Sequence, residues 1–140
     1  MPDVSYDHRL PYLYPQNGGP PYPGLSIQLQ NPANLDLSVE IDGHVDTGAE
    51  RCVFDGRMAL AIEIELMEGQ PFTLIATSGP GVQARLHTVR VVHDVLGAFQ
   101  VEAAFTLGEI RRHLLGRDFL RLVQIGFREH QAEFYVTPAP

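Results

Sequence analysis

Val45-Asp46-Thr47-Gly48-Ala49-Glu50 is the stretch on which the reading of this chain turns. Before it, Leu35, Leu37, Val39, Ile41, Gly43 and Val45 fall on one face, and Asp36, Ser38, Glu40, Asp42 and His44 on the other. A period of two marks a half-buried strand, and this strand delivers an acid at its end. Thr47 brings a hydroxyl that can hydrogen-bond within the turn, and Gly48 lets another group approach the backbone closely. One step earlier, Leu25-Ser26-Ile27-Gln28-Leu29-Gln30 alternates in the same way, and Asn31-Pro32-Ala33-Asn34 is a turn signal. The two strands are expected to form a hairpin.

Downstream, Cys52-Val53-Phe54 reads as a short strand, and Asp55 as the cap of a helical turn through Met58-Ala59-Leu60-Ala61. Phe72 to Ala76 and Val82 to Val92 are strands joined through Thr77-Ser78-Gly79-Pro80-Gly81, a glycine-containing hairpin tip. Phe99, Val101, Ala103 and Phe105 mark a further half-buried strand. A second anchor follows at Leu114-Leu115-Gly116-Arg117-Asp118-Phe119-Leu120, with the two leucines expected in the core and a short helix at Phe119 to Leu122. Val123 to Phe127 and Ala132 to Val136 read as a closing hairpin. Many short strands with regular turns and little helix predict an all-β fold, a small closed β-barrel with one short C-terminal helix.

Residues 1–24 differ from the rest. Tyr6, Tyr12, Tyr14 and Tyr22 are interspersed with Pro11, Pro15, Pro20, Pro21 and Pro23 around Gly18-Gly19. Such chain favours extended, polyproline-like conformations and is expected to form a flexible tail, outside a domain at residues 25–137. The alternative is a tail packed across the body or a partner, because four tyrosines are much aromatic surface to leave in water.

The chain has 140 residues, one ordinary domain with room for its own core. A net charge of −7 speaks against nucleic acid and anionic membranes as partners. The longest apolar runs fall far short of a membrane span, and Met1 to Arg9 has neither the basic start nor the apolar run of a signal peptide. A cytoplasmic location is the expectation. Cys52 is the only cysteine, so an internal disulfide or a cysteine-based zinc site is excluded.

Taken together, the two anchors resemble the retropepsin-like aspartic proteases, single-domain relatives of the pepsins, over roughly residues 25–136. That family has an apolar residue before Asp-Thr/Ser-Gly-Ala and, later, two apolar residues before Gly, often followed by Arg-Asp or Arg-Asn. The resemblance implies peptide hydrolysis, with Asp46, Thr47 and Gly48 as the catalytic triplet and no metal or organic cofactor. The reaction needs two carboxylates one water apart, one ionised as general base and one protonated to polarise the carbonyl. The chain supplies one Asp-Thr-Gly; Asp42 and Asp55 precede Gly without the hydroxyl. The resemblance therefore implies a homodimer, with an Asp46 from each subunit meeting at a two-fold axis. Thr47 would interlock with the other subunit's loop. Ala49, Glu50 and the flap residues Ser78, Gly79, Pro80 and Gly81 would bind a polypeptide as an added strand, with specificity from apolar pockets. Arg117 would pair with Glu50, where the family more often has Asp, and brace the loop. Retroviral members interleave both termini between subunits, whereas this chain ends in Thr137-Pro138-Ala139-Pro140, which weakens a terminal strand.

Each feature also has a plainer reading. Asp-Thr-Gly can be an ordinary strand-to-turn junction, Gly-Arg-Asp a solvated charge pair, and residues 77–81 a surface hairpin. A metal site joining His44 to His87 or His93 lacks supporting spacing, and Cys52 lacks a nucleophile's partners. The functional alternative is a non-catalytic peptide-binding or dimerisation module, which has no need of an intact Asp46-Thr47-Gly48.

Overall fold

The computed structural model describes residues 3–75 and 79–138. It is mostly β, with 53% of residues in strands and 12% in helices. In chain order the elements are β1 (His8–Pro11), β2 (Gly24–Asn31), β3 (Asn34–Val45), β4 (Val53–Asp55), α1 (Gly56–Ala61), β5 (Gln70–Leu74), β6 (Val82–His93), β7 (Gly97–Thr106), β8 (His113–Leu115), α2 (Arg117–Leu120), β9 (Val123–Arg128) and β10 (Glu133–Pro138). Among the described residues no helix is long and apolar enough to cross a membrane.

Seven strands form the main sheet in the order β2-β3-β8-β4-β7-β6-β5. The expected hairpins are there: β2 lies antiparallel to β3, with Ile27 opposite Ile41, and β5 to β6, with Phe72 opposite Ala84. Barrel closure is only partial, where the sequence suggested a closed barrel. The two ends of the strand order meet through β2 and β6, but only over Gln28–Gln30, and β5 is left outside as an edge. The alternating faces supply the core: Leu25, Ile27, Leu29, Val89, Val91 and Val101 are buried. Phe54 and Phe105 fill the interior ring against ring, 5.7 Å apart, and burying each stabilises the fold by about 1.5–3 kcal/mol.

Two departures from antiparallel pairing position the site. β3 runs parallel to β8, Val45 beside Leu115, and β4 parallel to β7. The sequence marked Leu114-Leu115 only as core; that they also form a strand depends on a partner about seventy residues away. Besides the short C-terminal helix, the helical turn expected after Asp55 is present as α1. Asp55 caps α1, accepting the Arg57 N–H at 2.9 Å. α2 begins at Arg117, ahead of the expected Phe119.

The stretch expected to be a flexible tail is built into the body from His8 onward. β1 pairs with β10, Leu13 and Tyr22 exchange backbone hydrogen bonds of 3.0 and 2.8 Å, and Tyr12 is buried against Phe134. The Tyr12 hydroxyl donates to Glu129 at 2.6 Å; burial first, and then this bond and the Glu129 charge, raise its pKa to about 12. Proline did not prevent pairing because β1 is an edge strand, where a missing N–H costs little. In the second sheet, ordered β1-β10-β9, the C-terminal strand is paired on both sides within its own chain.

Candidate active site

The end of β3 is clamped from two sides. The Val45 N–H donates to the Pro23 carbonyl at 2.8 Å, and the Asp46 N–H to the Leu115 carbonyl at 3.0 Å, which extends the parallel ladder by one residue. The chain then turns sharply. Asp46 Oδ1 accepts the Gly48 N–H at 2.8 Å, and the Ala49 N–H returns to the Asp46 carbonyl at 3.2 Å. One carboxylate oxygen is thereby fixed, while Oδ2 has no hydrogen-bond partner among the described residues. Asp46 and Ala49 are half-buried; Thr47, Gly48 and Glu50 are exposed. A rigid carboxylate thus stands at the surface at the end of a core strand.

The second anchor lies directly against this loop. The Arg117 N–H donates to the Ala49 carbonyl at 2.8 Å, and the Asp118 N–H to the Glu50 carbonyl at 3.2 Å. Gly116 makes the approach possible, because a Cβ there would stand 2.5 Å from the backbone of Arg51. The Arg117–Glu50 ion pair has its closest atoms at 3.6 Å, with Glu50 88% exposed. At that exposure it contributes no more than about 1 kcal/mol.

The stronger brace is Asp118, which the sequence reading passed over. Its carboxylate accepts the Cys52 N–H at 3.0 and 3.1 Å, the Phe119 N–H at 2.8 Å and the Cys52 thiol at 3.2 Å. Cys52 is fully buried. Burial and the Asp118 charge push its thiol far above the ordinary range, so it is no nucleophile at neutral pH. The available signal was the acid itself, next to a helix start and able to cap backbone N–H groups.

The remaining sequence-predicted residues are placed as follows. Gly79, Pro80 and Gly81 stand at the tip of the β5–β6 hairpin, whose last pair is Leu74 with Val82; Ser78 lies outside the described residues. Gly79 has φ +85°, which favours glycine, and a Cβ on Gly81 would meet Thr73 at 2.6 Å. His87 is bonded to the Leu66 carbonyl at 2.8 Å, and His93 Nδ1 accepts from the backbone of Val95 and Leu96. Among the described residues no group of three or more His, Cys, Asp or Glu could hold a metal ion.

Two residues back along β3 from Asp46, the chain forms an open pocket of about 620 Å3 between the 14–20 loop, Tyr22, Asp42, His44 and the Arg111-Arg112 pair. The rings of Tyr22 and His44 stack, centroids 5.4 Å apart and planes within 3°. Burial first, and then the Arg112 charge, lower the His44 pKa, against an opposing pull from Asp46. His44 is therefore neutral at pH 7.

No protein-family model and no curated protein matches the chain. Among solved structures, a retropepsin-like aspartic protease from Rickettsia conorii superposes with a TM-score of 0.64 at 19% identity, covering 99% of this chain and 100% of that one. The EIAV protease complexed with the inhibitor HBY-793 has a TM-score of 0.49 at 17% identity, over 71% of this chain and 86% of that one. The likeness to the Rickettsia structure gives this chain a retropepsin-like fold.

Proposed function

We propose that this chain is an aspartic endopeptidase, active as a homodimer in which Asp46 of each subunit faces its copy across a two-fold axis. The observation that carries the reading is the Asp46 turn. A carboxylate clamped by Pro23 and Leu115, with one oxygen tied to the Gly48 N–H, sits half-buried at the surface of a chain whose sequence holds a single Asp-Thr-Gly.

Two carboxylates brought together this way cannot both ionise cheaply, so the pair holds one proton and titrates as a unit. The ionised Asp46 takes a proton from a water molecule, whose oxygen adds to the scissile carbonyl; the protonated Asp46 donates to the carbonyl oxygen. As the resulting gem-diol collapses and the C–N bond breaks, one of its hydroxyl protons passes to the ionised Asp46 while the other Asp46 gives its proton to the leaving amine, which restores the shared proton. Atoms and protons balance without a cofactor. Thr47, exposed at the turn, interlocks the two loops, and Gly48, Ala49 and Glu50 line the path of an extended peptide covered by Gly79, Pro80 and Gly81 of the hairpin. β10 already has both edges occupied, so the dimer of this reading forms without threading that strand into its copy.

The test is cleavage of a diverse peptide library between about pH 4 and 7, which brackets the shared-proton range of a carboxylate pair. Wild type and Asp46→Asn are compared, with the oligomeric state of each measured. Wild-type cleavage that vanishes in the variant supports the reading. Cleavage that survives in Asp46→Asn, or a confirmed dimer that cuts nothing, overturns it, the second outcome in favour of a binding module.

A further inference from the structure

We propose that the pocket at His44, two residues back along β3 from Asp46, is a cationic subsite that selects a peptide carrying an acidic side chain within two residues of the cleaved bond. The inference rests on the protease reading above and names the substrate class of that site.

Position comes first. On β3, Gly43 and Val45 are buried, so His44 and Asp42 point to the opposite face, the one along which Asp46 follows. A strand rises about 3.4 Å per residue, so His44 stands about 7 Å from Asp46 along the chain, the span of two residues in an extended peptide. A substrate laid across Asp46 as a strand thus brings a nearby side chain to the pocket mouth.

The charge decides what that side chain is. The chain has seventeen acids and ten arginines. Arg9, Arg51, Arg57, Arg117 and Arg128 each meet a carboxylate; Arg85 is bonded to the Met67 and Gly69 carbonyls, and Arg90 to Gln30. Arg111, Arg112 and Arg121 have no carboxylate within ion-pair distance among the described residues, and of these the adjacent Arg111 and Arg112 line the pocket. The side-chain contact of Arg112 is a long one, 3.5 Å from Nη1 to His44 Nδ1. Asp42 lines the same pocket, with one oxygen accepting the Ser26 hydroxyl at 2.8 Å. Two guanidinium groups against one carboxylate, with His44 neutral, leave a net positive pocket in an acidic protein. Guanidinium suits a carboxylate through paired N–H donors. The stacked Tyr22–His44 pair and Tyr14 give flat walls along which the methylene stem of Glu can lie. Apolar specificity, expected from the resemblance, is not what this subsite offers.

The experiment uses fluorogenic peptides identical except for Glu, Gln or Lys at each of the two positions on either side of the cleaved bond. Wild type is compared with Arg112→Glu and with the Arg111→Glu/Arg112→Glu double variant. The readout is the ratio of kcat/KM among the three peptides within one protein, so a general loss of activity cancels. Wild type is expected to prefer Glu to Gln by about fivefold or more at one position, with the preference shrinking as NaCl screens exposed charge. In the variants the order should reverse towards Lys. Wild-type cleavage without Glu/Gln discrimination, or discrimination that survives both variants, overturns the subsite and leaves the protease intact. Should wild type cleave nothing, the protease reading fails, and fluorescein-labelled Glu and Gln peptides then test the pocket by anisotropy. Salt-sensitive binding of the Glu peptide that Arg112→Glu abolishes upholds an acidic-peptide site; equal or absent binding overturns it.

Discussion

Replacing Asp118 by Ala should damage this protein far more than replacing Arg117, although the two residues are neighbours in one Gly-Arg-Asp block. Asp118 holds the Cys52 N–H, which is fully buried and has no water to turn to once the carboxylate is gone. A hydrogen bond to a charged acceptor contributes about 1.5–3 kcal/mol, and an orphaned buried donor puts this one near the top of that range. The Phe119 N–H also loses Asp118 but keeps the Gly116 carbonyl at 3.1 Å, so its share is about 1 kcal/mol. The total is about 3–4 kcal/mol, a large part of the roughly 5–15 kcal/mol that holds a domain folded. Arg117→Ala removes one long, exposed ion pair and should cost about 1 kcal/mol or less. Urea unfolding at a single protein concentration reads both, the concentration being held because self-association shifts apparent stability. With a slope near 2 kcal/mol/M, Asp118→Ala should lower the midpoint by roughly 1.5–2 M and Arg117→Ala by roughly 0.5 M or less. Equal losses in the two variants, or a larger loss in Arg117→Ala, would refute the assignment of the brace to Asp118.

Gly116→Ala should cost about 2 kcal/mol or more, because the new Cβ meets the Arg51 backbone rather than a side chain that can swing away; thermal unfolding by circular dichroism checks it. Tyr12→Ala should lower stability by about 3–4 kcal/mol, and Tyr12→Phe by about 1 kcal/mol through the lost Glu129 bond. No change in either variant would return the N-terminal stretch to the status of a loose tail. Stability should also fall as the pH drops below 6.5. His113 is half-buried with Nδ1 accepting the Asp55 N–H at 3.3 Å, and the loss of solvent around the ring lowers its pKa from 6.5. Above 6.5 neither state binds the proton; below it the unfolded chain binds first, so unfolding gains. Asp55 has a lowered pKa too, but its contribution is lost only as the pH falls through that lowered value, beneath 3.8 and outside this range. Urea midpoints at pH 7.5 and 5.0 should therefore differ less in His113→Asn, whose amide oxygen can accept the same N–H without titrating; an undiminished difference would exclude His113 as a source.

What could be read in advance was local. Residues 37–45 alternate strictly because one face of β3 packs on the core, and such a period survives in the order of the residues alone. The Asp46 turn was legible for the same reason: the acid, the hydroxyl and the glycine that shape it are consecutive. Asp55 at the start of α1 is a third case, a cap and its helix within three positions. Prolines misled the reading of residues 1–24, since proline's tolerance depends on whether its strand is central or at an edge.

The chain by itself thus determined the strands, the hairpins and the turn that presents Asp46, because those follow from neighbours one to four residues apart. Only the tertiary structure decided what stands against that turn. Leu115 beside Val45, Asp118 beneath Cys52, Tyr22 stacked on His44 and β1 on β10 join residues from about twenty to more than a hundred positions apart. Their contact depends on which strands become neighbours, and burial of apolar faces sets that through the whole sheet at once; only for the Leu114–Asp118 block did a paired motif, read through the resemblance, point to the Asp46 loop.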